Sequence, residues 1–250
     1  ACVAFVGAGG KTTVIFRLAR ELPPPVVVTT TTHIGTWQIT QGDCWITDPK
    51  LLEGDLTAKN DVIVFTGKSI KDNRAVGLKP SEVDDLCRLV KARGWSLLIE
   101  SDGARQLPLK APGPNEPVIP SWVENVVVVA GLSGLEKPLN DAYIHRSKIF
   151  SQISELPLDK SVGVGDLRRV LLDPLGGLKY IPEHARKIVF LNQADNDYII
   201  AKASQLSIDL LVAFDAAIIG RLFNEPEEEV LASKEPIAGI ILAAGGSTRF

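Results

Sequence analysis

The apolar positions of this chain fall into short unbroken runs separated by longer amphipathic stretches. "CVAFV" (2–6), "VVVTTTT" (26–32), "DVIVF" (61–65), "SLLIES" (96–101), "NVVVVA" (125–130), "KIVFL" (187–191) and "AGIILAA" (238–244) scarcely alternate. Strands buried on both faces read this way, so each run predicts a strand inside a sheet. Helical spacing fills several of the gaps. "KTTVIFRLAREL" (11–22) sets Val14, Leu18 and Leu22 on one stripe, and "PSEVDDLCRLVKARG" (80–94) opens with Pro80-Ser81 and stops at Gly94. "RSKIFSQISEL" (146–156), "VGDLRRVLLD" (164–173) and "SIDLLVAFDAAIIGRLF" (207–223) predict three more helices. Strands alternating with helices point to the α/β class: a three-layer, mostly parallel sheet. Residues 103–120 and 173–184 are loop-rich, and the acidic stretch around 226–237 reads as a linker. The expected organisation is one domain over 1–225, the linker, and a fragment of a second domain over 238–250.

Composition narrows the partners. The 250 residues are 45% hydrophobic and 23% charged, with a net charge of −3. A protein that grips nucleic acid in bulk carries a basic surplus, so nucleic acid is not an expected partner. The longest apolar runs fall well short of the ~20 residues that span a bilayer, so no membrane partner is expected either. Cys2, Cys44 and Cys87 are widely spaced, with no CxxC pair, and a reducing cytoplasm is the expected compartment.

The strongest chemical signal is "VGAGGKTT" (6–13) between the first strand and the first helix. A phosphate site needs backbone N–H groups turned inward, no Cβ in the way and a helix N-terminus behind it. Gly7, Ala8, Gly9 and Gly10 supply the loop, Lys11 a point charge for a terminal phosphate, Thr12 a hydroxyl for Mg²⁺, and Thr13 the start of the helix. The eight-residue phosphate-loop pattern would require glycine at position 5, where Phe5 stands. A dinucleotide fold would end its second strand on a carboxylate, and "TTTTHI" has none. A Gly-rich turn without a ligand is the remaining alternative.

Phosphoryl transfer also requires a carboxylate for the metal and a group that orients the acceptor. "LLIESDGAR" (97–105) delivers Glu100 and Asp102 to the end of a strand, on one side of it, where open parallel sheets place their sites. Asp102 is read as the metal holder and Glu100 as a metal or water partner. Thr31, Thr32 and His33 end the second predicted strand and are substrate candidates. Arg105 and Lys110 join them as loop cations, as do His145, Arg146 and Lys179. In "VFLNQAD" (189–195), Asn192 and Asp195 are candidates for base contact. Gln193 stands where a GTPase N-K-x-D motif has lysine, so ATP and GTP both remain open. A helix cap is the alternative reading of these residues.

Taken together, "VGAGGKTT", "VVTTTTHI", "LIESDGARQLPLKAPGPNEPVIP", "VVVVAGLSGLEKPL", "HRSKIF", "GGLKYIP" and "FLNQAD" resemble the YqeC family across roughly residues 1–225. The resemblance implies a P-loop-like α/β fold and an accessory role in maturing a selenium-dependent molybdenum hydroxylase or its cofactor. The shortened glycine loop is a trait of that family. "GIILAAGGSTRF" (239–250) resembles the opening of a molybdopterin cytidylyltransferase domain. Three functions fit: a Mg²⁺-dependent NTPase or phosphotransferase, a non-catalytic nucleotide switch, and a scaffold for the molybdopterin cofactor.

Overall fold

Strand β1 (Cys2–Gly7) shows how the chain builds its sheet. Cys2, Ala4 and Val6 enter one hydrophobic core while Val3 and Phe5 enter another. Alternation across a pleat thus buries both faces, and the run has no polar side left to show in the sequence. The computed structural model describes residues 1–53, 61–68, 70–71, 73–222 and 229–234.

After β1 come α1 (Lys11–Glu21), β2 (Val26–Thr30), β3 (His33–Gly35), the short α2 (Thr36–Ile39), β4 (Cys44–Ile46) and β5 (Val62–Phe65). β6 (Ile70–Lys71), β7 (Arg74–Val76), α3 (Pro80–Ala92), β8 (Ser96–Glu100) and β9 (Leu109–Lys110) follow. Then come β10 (Asn125–Gly131), β11 (Ile144–His145), α4 (Ser147–Ser154), α5 (Val164–Leu172), β12 (Arg186–Asn192), α6 (Asp197–Leu210), β13 (Ala216–Arg221) and β14 (Glu229–Lys234). The main sheet runs β14-β13-β12-β10-β1-β8-β2-β5-β4. Its strands from β13 to β4 are all parallel, and β14 pairs antiparallel with β13. Side chains of α3, α4, α5 and α6 fill the core on one face; α1 and Ile39 of α2 fill the other. This is the three-layer α/β, P-loop-like fold that the sequence predicts. A small antiparallel sheet, β3-β7-β6, adjoins the second core through Ile34 and Ala75.

Register sets the position of the site. Phe5 pairs with Glu100 on one side of β1, and Gly7 with Val129 on the other. Gly131 then pairs with Asn192. The carboxyl ends of β1, β8, β10 and β12 therefore meet along one edge, where parallel sheets gather their ligands.

Several expectations need correction. Residues 207–223 are not one helix: α6 ends at Leu210 and β13 begins at Ala216. In β13, Ala217 and Ile219 face one core and Ala216 and Ile218 the other, a short apolar run that periodicity cannot tell from a buried helix. The second strand stops at Thr30 rather than Thr32. Within the expected linker, residues 229–234 form β14. The strand expected over 238–244, and with it the transferase-like fragment at 238–250, lies outside the described residues. No helix among the described residues is long and apolar enough to cross a membrane.

Phe5 is fully buried between α1 and the central strands. Phe5→Ala is expected to lower stability by roughly 3–5 kcal/mol through lost burial and the cavity it leaves. Urea unfolding followed by circular dichroism measures this, and a loss under about 1 kcal/mol would contradict the packing described.

Candidate functional site

The glycine loop is bent by its own φ angles. Gly7, Gly9 and Gly10 adopt φ of 95°, 87° and 111°, a region that L side chains rarely enter. Space excludes side chains at the first two as well. A Cβ on Gly7 would lie 2.1 Å from the Val129 carbonyl oxygen, and one on Gly9 2.3 Å from the Gly131 backbone. Helix α1 begins at Lys11, with Gly10 as a cap that has no side chain to offer. The first amide bonded inside the helix belongs to Val14, which donates to Gly10 O at 3.0 Å. The amides of Gly9 through Thr13 have no acceptor among the described residues, which is the donor set a helix N-terminus presents to an anion.

Lys11 is buried, and its Nζ donates to Gly7 O at 2.7 Å. It lies 3.1 Å from Asp102 Oδ1 and 3.7 Å from Glu100 Oε1. Burial works against its charge, but the Asp102 and Glu100 carboxylates outweigh that and hold its pKa above the ordinary lysine value. Thr12 ties the loop to the same acid, its hydroxyl donating to Glu100 Oε2 at 3.0 Å. Burial pushes the Glu100 carboxyl above its usual range against the pull of Lys11 and Thr12. Gln38 of α2 donates to Thr12 Oγ1 at 2.9 Å and so fixes that hydroxyl from the far side.

Asp102 does something different from Glu100. Its Oδ2 accepts from the Gly7 amide at 3.0 Å and from Lys110 Nζ at 2.7 Å. Lys110 donates also to Gly103 O and to Glu116 Oε2, so its three protons are all engaged. Glu116 in turn receives both arms of Arg146 at 2.7 Å. A chain of alternating charge thus runs Lys11, Asp102, Lys110, Glu116, Arg146. It makes Lys110 an internal counter-charge rather than a substrate contact, and sets Asp102 behind the loop rather than in front of it. Lys179 is likewise committed, donating to Gly113 O and Pro114 O and so pinning the 103–120 loop.

In front of the loop opens a cleft of about 770 Å³. Gly9, Gly10, Lys11, Thr12, Thr13 and Glu100 line one wall. His33, Gly35, Trp37, Gln38, Asn73 and Arg74 line the opposite one, and Gly103 to Leu107 and Gln193 complete it. Of the substrate candidates, His33 and Arg105 face this cleft. Thr31 and Thr32 do not line it: the Thr32 hydroxyl meets Thr30 at 3.2 Å, and Thr31 keeps a buried hydroxyl without a partner among the described residues. Asn192 is spent inside the protein. It donates to Gly9 O at 2.8 Å and accepts from the Leu222 amide at 3.2 Å, so it braces the loop instead of facing a base. Asp195 is exposed and lies away from the cleft lining, while its neighbour Gln193, bonded by Ser133 at 2.6 Å, lines it. Sequence reasoning passed over Trp37, Gln38, Asn73 and Arg74. Trp37 and Gln38 had closeness to "TTTTHI" as their only signal, and Asn73 and Arg74, far along the chain, had none; β3 and β7 bring them to the cleft by pairing with each other.

Fold and cleft define a three-layer α/β protein with a glycine loop and a buried lysine at the head of its sheet. The chain belongs to the YqeC family: the YqeC protein family matches residues 3–148. "Uncharacterized protein YqeC" of Escherichia coli (strain K12) is 30% identical over 198 residues, covering 76% of this chain and 75% of that protein. No solved structure matches the chain.

The two acids are separable by stability. Asp102→Asn leaves Lys11 and Lys110 buried with too little negative charge, and is expected to cost roughly 3–5 kcal/mol. Glu100→Gln, on the cleft wall, is expected to cost about 1–2 kcal/mol. Urea titration of both variants measures the difference, and equal losses would contradict the division of roles.

Acid acts on the far end of the charge chain in two windows. Burial, with Arg146, Lys110 and Arg105 nearby, holds His145 down at about 4 from an ordinary 6.5. Although burial opposes it, Arg146 and Lys110 hold Glu116 down at about 2 from 4.5. In both cases the unfolded chain binds the proton first, so stability present at neutral pH is lost as pH falls. The loss for His145 spans pH 6.5 to 4, and for Glu116 pH 4.5 to 2. His145→Gln is expected to flatten the upper part of the stability–pH curve and Glu116→Gln the lower part, as thermal melts at stepped pH would record.

Proposed function

We propose that the chain binds a Mg²⁺–nucleoside triphosphate at the glycine loop and catalyses hydrolysis or transfer of its terminal phosphoryl group. One observation carries the reading: the unpartnered amides of Gly9 to Thr13 share a cleft with Lys11, Thr12 and Glu100. Gly7 and Ala8 shape the turn behind these donors, their amides being taken by Asp102 and by Val129 O. The donors around the Thr12–Glu100 pair are hard oxygens, the kind Mg²⁺ takes, with a hydroxyl and a nearby carboxylate as in phosphate-loop sites. Thr12 and Glu100 would hold the ion, which when bound neutralises charge on the terminal phosphates.

The chain's own residues supply the rest. The amides cradle the phosphate oxygens, Lys11 adds a fixed positive charge, and burial lets both act at low dielectric. Glu100 is the carboxylate within reach of the acceptor oxygen. Asp102, expected from sequence to hold the metal, instead fixes Lys11 and the Gly7 amide. The nucleotide is ATP or GTP; Asn192 is not the residue that reads its base. In the setting that the family resemblance implies, this activity serves maturation of a selenium-dependent molybdenum hydroxylase or its molybdopterin cofactor.

Mg²⁺-dependent ATP and GTP binding and turnover test the reading. Lys11→Ala is expected to lower turnover by roughly 10²–10³-fold, and Glu100→Gln to lower turnover with less effect on binding. Binding without turnover in the wild-type chain would leave the switch. Binding of neither nucleotide would overturn the reading and leave the cofactor scaffold.

A further inference from the structure

The cleft extends past the glycine loop, and its lining carries more positive than negative side chains. Its far wall, on the β3-β7 sheet and the 103–107 loop, adds three features that the glycine loop does not use. Arg74 and Arg105 both line it; neither forms a salt bridge among the described residues, although Arg74 is near enough to act on the Glu100 carboxyl through space. Arg74 donates to the His33 carbonyl at 3.1 Å, which holds the guanidinium beside the cleft and leaves other N–H groups free. Trp37 stands 57% exposed on the same wall. The side-chain amide of Asn73 accompanies it with no partner among the described residues. The charged side chains lining the cleft are Lys11, Arg74 and Arg105 against Glu100, a surplus of two positive charges in a chain whose net charge is −3.

Sheet order tells which end of a nucleotide this wall would meet. β12 lies on one side of β1, beyond β10; β8 and β2 lie on the other. The pair expected to mark the terminal phosphate, Thr12 and Glu100, is on the β8 side. Gln38 bonds Thr12, and Trp37 precedes it in α2. The positive, aromatic wall therefore lies beyond the terminal phosphate, where an acceptor sits, and across the sheet from Asn192.

We infer that this wall is a second-substrate subsite for a planar heteroaromatic molecule carrying an anionic group. The ring stacks on Trp37, Asn73 reads its edge, and Arg74 and Arg105 hold the anion. The inference rests on the glycine loop being the nucleotide site. It adds that the catalysed reaction has two bound substrates.

Flavin mononucleotide, AMP and GMP are suitable probes, with riboflavin and inorganic phosphate as controls for the anion and the ring. Binding is measured on the full chain with the glycine loop filled by a non-hydrolysable Mg²⁺–ATP analogue, by flavin fluorescence for the flavins and by calorimetry for the rest. At least one nucleoside or flavin monophosphate is expected to bind together with the analogue, ten times more tightly than riboflavin or phosphate. Trp37→Ala is expected to weaken that probe roughly tenfold, as loss of one stacking platform does. Arg74→Ala and Arg105→Ala are expected to weaken it by a similar factor, and all three side chains are exposed, so folding is spared. Lys11→Ala separates the two sites: nucleotide binding is lost, while the probe still binds to the empty variant. Failure of all three probes would overturn the inference. So would displacement of the probe by the analogue, or indifference of binding to Trp37 and Arg74. Absence of analogue binding to the wild-type chain, with the probe still bound, would overturn the nucleotide reading instead.

Discussion

Everything at the head of the sheet depends on two buried ammonium groups sharing one carboxylate. Asp102 lies between Lys11 and Lys110, at 3.1 and 2.7 Å, with almost no access to water. Removing either sign alone would strand the other in a medium that barely screens it. The solution is continuation: Glu116 balances Lys110, and Arg146 balances Glu116 where the chain reaches solvent. With Glu100 included, three positive and three negative groups cancel. Neutrality is thus a property of the six together, and no one of them can be assigned its own share of stability.

This arrangement couples distant parts of the sequence to the glycine loop. The Gly7 amide and the Lys11 ammonium both answer to Asp102, Lys110 fixes Gly103, and Arg146 immediately precedes α4. From the opposite side Asn192 holds Gly9 O, and its own oxygen takes the Leu222 amide just past β13. The loop is therefore clamped between strands on both flanks of β1. Its three positive-φ glycines sit in a backbone so closely surrounded that a Cβ at Gly7, Gly9 or Gly10 would meet a neighbour.

What could be read from sequence was what is local. The glycines, Lys11 and Thr12 are neighbours in the chain, and their chemistry follows from a strand, a turn and a helix in succession. Glu100 and Asp102 were found by the same logic, yet their roles were not. Only the fold shows that Asp102 meets two lysines while Glu100 faces the cleft, since Lys110 arrives through the 103–120 loop. Asn192 carries the right amide for reading a base, but the closeness of β10 and β12 turns it onto Gly9. Ala216 to Ile219 looked helical because four apolar residues in a row have no usable period. Trp37 and Arg74 were silent because they reach the site through the three-residue pairing of β3 with β7 and the Gln38–Thr12 bond, neither of which a local pattern shows.

The 2.7 Å contact between Lys11 and the Gly7 carbonyl has an entropic side. A free lysine side chain samples many rotamers, but here Gly7 O, Asp102 and Glu100 hold the ammonium in one place. The ordering cost of roughly 1.5–2 kcal/mol for such a chain is met when the protein folds, so the charge stands pre-set at the loop.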